Sequence, residues 1–262
     1  MTEPLVELSV EGSIATVTLA RPGKHNAINQ QFLDDLDDAV TRVQAGTRAI
    51  VLAARGEHFC SGLDLSELEE RSPVGVLAHS QRWHRVFSKI EFGGIPVISA
   101  LHGGVIGGGL ELATATHVRV AEPDTFFQLP EGRHGIFVGG GASVRAARII
   151  GAGRVCEMML TNRRYDVEEG YALGLVHYRV DAGRSLAEAG RLAEVIIENA
   201  PTSNYAIVTA LARISNMASD DGLFVESLTA ALTATDEESR QRIAAFLHQR
   251  KRHEATTEAR PE

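Results

Sequence analysis

HGGVIGGGLELATA, residues 102 to 115, sets one glutamate, Glu111, among glycines and aliphatic side chains. TFFQLPEGRHGIFVGGG, residues 125 to 141, does the same for Glu131. A carboxylate in such surroundings has poor access to water. Desolvation raises its pKa toward the working pH, which a general acid or base needs. The two positions are 20 residues apart with a strand-like stretch between them, so they can face one another across a small cleft. One could then hold a proton while the other is ionised. Gly107, Gly108 and Gly109 open a short helix over 107–115. Bare backbone N–H groups at a partially positive helix start can bind a phosphate or stabilise a developing oxyanion. Close helix packing or a tight turn would use the same three glycines. The G-x-x-G-G-G spacing does not match the dinucleotide fingerprint G-x-G-x-x-G, and no acidic residue closes the following strand.

Outward from this stretch, 117–121 (HVRVA) and 125–129 read as strands, and 96–100 (PVISA) as a buried one. Toward the N-terminus, 5–10 and 14–19 alternate apolar and polar residues around Glu11-Gly12-Ser13 and predict a β-hairpin. Apolar residues at helical spacing predict a helix over 30–44, with Asp34, Asp35, Asp37 and Asp38 mostly on its solvated face. A buried strand follows at 49–53, then a helix over 72–90. Toward the C-terminus, helices are expected at 140–150, 152–161 and 166–173, with a strand at 175–180. From Arg184 onward only amphipathic helices follow: 184–199, 202–217, 221–233 and 236–250. The fold class is α/β: repeated strand–strand–helix units over 1–183, then a helical C-terminal region over 184–262 that is not an independent domain. That region is expected to serve oligomerisation and to cover the site.

The chain has 262 residues, 44% hydrophobic and 23% charged, enough for one large core. Its net charge of −8 argues against nucleic-acid and anionic-membrane partners, although a small pocket can still be locally positive. Two cysteines, Cys60 and Cys156, make no disulfide framework and fit a reducing compartment. The N-terminus MTEPLVELSVEG lacks the basic and apolar regions of a secretory signal. No apolar run approaches the ~20 residues of a membrane helix. A soluble cytoplasmic protein is expected, with a polar, fraying tail (RKRHEATTEARPE).

A second candidate segment is EHFCSGLDLSEL, residues 57–68. Backbone N–H groups after Gly62 can point into a cleft, while Asp64 can equally cap a helix. RPGKHNAIN, HFCSGLDLSEL, SALHGGVIGGGLELA and LPEGRHGIFVGGGASVRAARIIG occur in this order. Together, and with their separations, they resemble the crotonase superfamily of enoyl-CoA hydratases and isomerases, from about Val6 to Val180. The tail with AAFLHQRKR is also similar.

The resemblance implies a spiral of ββα units assembled as a homotrimer or homohexamer. It implies an acyl-CoA substrate and no separate cofactor or metal, because coenzyme A is part of the substrate. It places the oxyanion-hole amides on Leu63 and Gly108 and the two hydratase carboxylates on Glu111 and Glu131. Substrate-binding positions fall on Lys24, Ala27, Ser61, Asp64, Leu65, Gly107, Pro130 and Gly139. Lys24 also reads as an ordinary surface lysine. Lys251 would reach the CoA phosphates of a neighbouring subunit. The implied reaction is reversible hydration of a 2,3 double bond, Glu111 taking a proton from water and Glu131 delivering one to the α-carbon. Thioester hydrolysis, alone or after hydration, double-bond isomerisation and a catalytically silent CoA-binding scaffold are the alternatives. The chain departs from the hydratase pattern after Glu131. Phe137-Val138-Gly139-Gly140-Gly141 stands in place of a Pro-Gly pair, and Arg133 and His134 replace aliphatic residues. His134 could tune Glu131 or be merely structural. Trp83 and Phe87, one helical turn apart, are either acyl-pocket lining or core.

Overall fold

The hairpin forms where the alternation predicts it. Val6–Glu11 (β1) pairs antiparallel with Ile14–Leu19 (β2), and Gly12 takes the positive φ of 58° at the turn. The structure is a computed structural model and describes residues 3–43, 46–67 and 72–258, with side chains through Leu247. The chain forms two compact units, Met1–Ile197 and Glu198–Glu262.

In the first unit, β2 runs on into a parallel sheet with Ala49–Ala54 (β3), Val97–Leu101 (β4), Val118–Ala121 (β6) and Tyr178–Arg179 (β9). β4 is buried along its whole length and β3 along all but its last residue, as parallel strands covered on both faces must be. Ser185–Ile197 (α7) covers one face. Its Ala189, Leu192 and Ala193 pack against Val51, Ile98, Ala100 and Val120. The other face carries the larger core, fed by Gln30–Thr41 (α1) and Pro73–Phe92 (α2). Each of these helices begins on a side-chain cap. Asn29 accepts from the Phe32 amide at 2.9 Å, and Ser72 from the Gly75 amide at 3.2 Å with Pro73 at the first helical position.

A second, smaller sheet joins Gly104–Ile106 (β5), Phe126–Gln128 (β7) and Arg164–Asp166 (β8). Isolated parallel bridges Cys60–Val105 and Ile28–Leu63 extend the same pairing outward. Successive strands therefore alternate between the two sheets, β4 to β5 and β6 to β7. The loops leaving the small sheet, including Gly108–Ala113 (α3), carry the glutamates and the glycines around them. Arg145–Ile150 (α4), Ala152–Thr161 (α5) and Val167–Ala172 (α6) complete the unit. The second unit holds Pro201–Ile214 (α8), Ser219–Thr235 (α9) and Glu237–Glu258 (α10). Among the described residues no helix is long and apolar enough to cross a membrane.

Several expectations shift. The helix expected over 140–150 starts only at Arg145, because Gly141 sits at φ 118°, outside the helical region. The strand expected over 175–180 shortens to Tyr178–Arg179, and the short strands β5 and β8 appear where none was expected. α7 opens the expected helical region at 184 and packs on the sheet, and the two compact units divide after Ile197.

Candidate active site

Two loops meet through glycine. Gly62 has φ 89°, and a Cβ there would stand 2.8 Å from the Ile106 carbonyl and 2.9 Å from the Gly108 nitrogen. Only hydrogen fits, so the Leu63 segment lies directly against the start of α3. A Cβ on Gly108 would overlap the Trp83 ring, and one on Gly107 would stand 3.0 Å from Glu131 Oε1. As the first residue of α3, Gly108 has an amide with no acceptor inside the helix. No hydrogen bond from the Leu63 amide is found among the described residues either.

The Gly62 loop is stapled from behind. Asn26, fully buried at φ 56°, donates to the carbonyls of Arg55 and His58, both at 2.9 Å. Cys60 Sγ accepts from the Gly62 amide at 3.4 Å and donates to the Asn26 carbonyl at 3.1 Å. Burial pushes the Cys60 thiol up to about 12, so it acts as a structural group and not a nucleophile.

These loops enclose a cavity of about 230 Å³. Ser61, Leu63, Leu65, Gly107, Gly108, Glu111, Pro130, Glu131 and Gly139 all line it. So do Trp83 and His134. Lys24, Ala27 and Asp64 do not. Asp64 is paired with Arg21 at 2.7 Å and accepts from the Ser66 amide and hydroxyl, and those Ser66 bonds above all hold its carboxyl below the usual range. It caps the 3-10 turn Leu65–Glu67, the second of its two expected readings. The Ala27 carbonyl accepts from Arg21 at 2.8 Å, and exposed Lys24 reaches Ser66 Oγ at 3.1 Å. Phe87 is core, packed edge-on against Trp83 with centroids 5.5 Å apart. Arg133 is exposed and lies outside the cavity lining. The Lys251 side chain lies outside the described residues.

The two carboxylates differ in their partners. Glu111 is 3% exposed, and its Oε1 accepts from the amides of Gly140 at 2.7 Å and Ala142 at 3.0 Å. Burial raises its pKa, while these amides and the Arg145 charge oppose the rise. Glu131 is also buried, but its Oε2 has no hydrogen-bond partner among the described residues. Burial first, and the neighbouring Glu111 charge as well, push it up to about 7. Donors to a carboxylate favour its ionised form, and an orphaned carboxyl favours the neutral one. The two carboxylates are therefore unequal: the amide bonds favour charge on Glu111, and burial with an unpartnered oxygen favours the proton on Glu131.

Val76, His79 and Ser80, which no sequence motif marks, line the cavity with Trp83. Their spacing of three, four and seven residues along α2 places them on one helix face, and that stripe was the available signal. Ile136 and Phe137 form an apolar rim, 42% and 70% exposed. A larger depression of about 760 Å³ lies at the β9–α7 end. Its Arg179–Glu168 and Arg191–Glu188 charges pair with one another. Among the described residues one cluster offers metal-type ligands. His25, Glu57 and His58 bring donor atoms within 4.8 Å of one another, outside the cavity, and His58 Nδ1 already takes the Gly104 amide at 3.1 Å.

A family model described as enoyl-CoA hydratase/isomerase matches residues 9–255. The chain belongs to the enoyl-CoA hydratase/isomerase family. A short-chain-enoyl-CoA hydratase from Clostridium acetobutylicum is 29% identical over 249 residues, covering 94% of this chain and 95% of that one. A solved Rhodopseudomonas palustris protein, provisionally named an enoyl-CoA hydratase, is 44% identical with a TM-score of 0.92, covering 95% of this chain and 96% of that one. The solved enoyl-CoA hydratase from Thermoplasma volcanium is 29% identical with a TM-score of 0.87, covering 93% and 98%. The alternating two-sheet arrangement is thus the crotonase fold, and this family member is an α/β protein of the crotonase superfamily.

Proposed function

We propose that this family member is an enoyl-CoA hydratase, adding water reversibly across the 2,3 double bond of an α,β-unsaturated acyl-CoA. The observation that carries the reading is the unequal pair of carboxylates, Glu111 held by two amides of another loop and Glu131 with an unpartnered Oε2, on a single cavity beside two available amides. Water attacks the β-carbon as Glu111 takes its proton. The double-bond electrons move onto the thioester, whose oxygen becomes an enolate held by the Leu63 and Gly108 N–H groups. Glu131 gives its proton to the α-carbon, and the new C–H bond re-forms the carbonyl. A proton then passes from Glu111 back to Glu131 through water, so only water has been added. Losing one preorganised donor to such an oxyanion typically costs about 3 kcal/mol of barrier.

Ser61, Leu65, Gly107, Pro130 and Gly139 are read as contacts to the acyl-pantetheine portion. Exposed Lys24, beside Ala27 at the edge of the stapled loops, is read as a contact to the CoA nucleotide. Asp64 then acts through Arg21 and Ser66 and touches no substrate. The reading calls for no resident metal or cofactor, and for a cytoplasmic enzyme. A homotrimer or homohexamer is proposed from the family resemblance, and the exposed Leu223, Phe224, Leu228 and Leu232 of α9 offer apolar surface for such contacts.

The test follows the enoyl-thioester ultraviolet band and free thiol together, with crotonyl-CoA as substrate. Loss of the band without thiol supports hydration. Release of thiol would replace it with thioester hydrolysis. Glu111→Gln and Glu131→Gln should each lose most activity while folding normally, and full activity in either would overturn the two-carboxylate mechanism.

A further inference from the structure

The turn that hydrogen-bonds Glu111 is made of Gly139, Gly140 and Gly141, and glycine is the residue least able to hold a peptide plane by itself. The first two peptides of that turn are gripped at their carbonyls from the side away from Glu111. The Gly139 carbonyl accepts from Ser80 Oγ at 2.6 Å. The Gly140 carbonyl accepts from Arg145 Nη1 at 3.0 Å, and Arg145 Nε is paired with Glu91 Oε2 at 2.6 Å. Arg145 is 9% exposed and fills the space a side chain at 141 would need.

A trans peptide carries its C=O and the next residue's N–H in opposite directions. Holding the Gly139 carbonyl on Ser80 therefore turns the Gly140 N–H the other way, onto Glu111 Oε1. Holding the Gly140 carbonyl on Arg145 likewise turns the Gly141 N–H toward the same carboxylate, where it helps favour the ionised form. Ser80 and Glu91 both belong to α2, so one helix sets both planes.

We infer that Ser80 and the Glu91–Arg145 pair are positioning residues for Glu111, locking two peptide planes whose amides hold its carboxylate in place. The inference rests on Glu111 being the base of the proposed hydration. Without either lock a glycine peptide can flip, replacing an N–H donor with a carbonyl oxygen beside the carboxylate. Glu111 would then lose both its orientation and a group that favours its charge. The other titratable or charged groups facing it are Glu131, Arg145, and the cavity histidines His79 and His134.

The test compares Ser80→Ala, Ser80→Thr, Glu91→Gln and Arg145→Gln in the full-length protein, with Glu111→Gln alongside. Ser80→Ala and Arg145→Gln should lower kcat by up to about 10²-fold with little change in KM, as small misplacements of a catalytic group do. The acid limb of kcat/KM should move to higher pH, because an ionised Glu111 becomes harder to form. Glu91→Gln should move it in the same direction. Ser80→Thr, which keeps the hydroxyl, should restore both kcat and the limb. The ¹³C titration of the Glu111 carboxyl, identified by its loss in Glu111→Gln, should rise in Ser80→Ala and Arg145→Gln even without substrate. Ser80→Ala folds whatever the fate of the buried arginine variants, so it decides the matter alone if they do not. An unmoved acid limb and an unmoved Glu111 titration in Ser80→Ala would overturn the locks while leaving the hydratase reading intact. Full activity in Glu111→Gln would instead overturn that reading.

Discussion

Replacing Glu131 with glutamine should stabilise the protein above neutral pH and leave it almost unchanged below pH 5. Glu131 is 7% exposed, and its pKa is pushed from 4.5 to about 7. The native state therefore binds more protons than the unfolded chain between those two values. By linkage, stability falls as pH rises through this window. The contribution of the neutral carboxyl is fully present below about 4.5 and lost above about 7. The difference, 7 − 4.5 = 2.5 units at ~1.36 kcal/mol each, is about 3 kcal/mol. Glutamine has the same shape and never ionises, so the variant escapes the loss.

Urea unfolding of both proteins at one fixed protein concentration, from pH 5 to 9, measures the effect. The gap in unfolding free energy should open from near zero to about 3 kcal/mol as the pH rises through the window, while hydration is lost. Any constant cost of placing an amide in the site shifts the whole curve and leaves its slope alone. Glu111 titrates in both proteins, so the slope difference belongs to the coupled pair. Parallel stability curves would refute the argument that burial keeps Glu131 protonated.

Gly140→Ala would place a Cβ 2.7 Å from Glu111 Oε2 and 2.9 Å from Trp83 Cε3. Steady-state kinetics should show kcat down by about 10²-fold, and near-normal turnover would mean the carboxylate can yield without consequence. Gly190→Ala, inside α7 with nothing within 4 Å of the new Cβ, should raise unfolding free energy by about 1 kcal/mol in urea titration. A thiol reagent should react quickly with exposed Cys156 and not with Cys60 until denaturant is added, since Cys60 is buried with a thiol pushed up to about 12. Rapid reaction of both in the native protein would show that the Gly62 loop opens readily.

The long periodic elements were legible because their burial is repetitive. β1, β2, α1 and α2 fall within a few residues of where alternation and helical spacing place them. β5 and β8 were not, because three residues show no period and neither Gly104-Val105-Ile106 nor Arg164-Tyr165-Asp166 carries the paired aromatics that mark β7. Glu111 and Glu131 stood out through their apolar neighbours, and the structure places both on one cavity. Their unequal hydrogen bonding was invisible, since it depends on amides 29 and 31 residues away from Glu111. The resemblance put Asp64 among the substrate contacts, whereas its carboxylate pairs with Arg21, 43 positions earlier. That the first helix after 184 belongs with the sheet was hidden for a similar reason. An amphipathic stripe says that a helix is covered, and not that a sheet is what covers it.

The glycines at 62, 107, 108 and 140 leave no room for side chains, so peptide backbone forms the wall nearest the reacting groups. Trp83 packs onto that wall at Gly108 and Gly140, while the exposed side chains Leu65, Val76, Ile136 and Phe137 stand at the edge. This divides the molecule's capacity for change. Substitutions that alter the wall must move the main chain, and are closed to gradual variation. Substitutions at the edge need only a different rotamer or a different volume. Under the proposed hydration, new acyl preferences can therefore accumulate there one residue at a time while the proton chemistry beneath them stays the same.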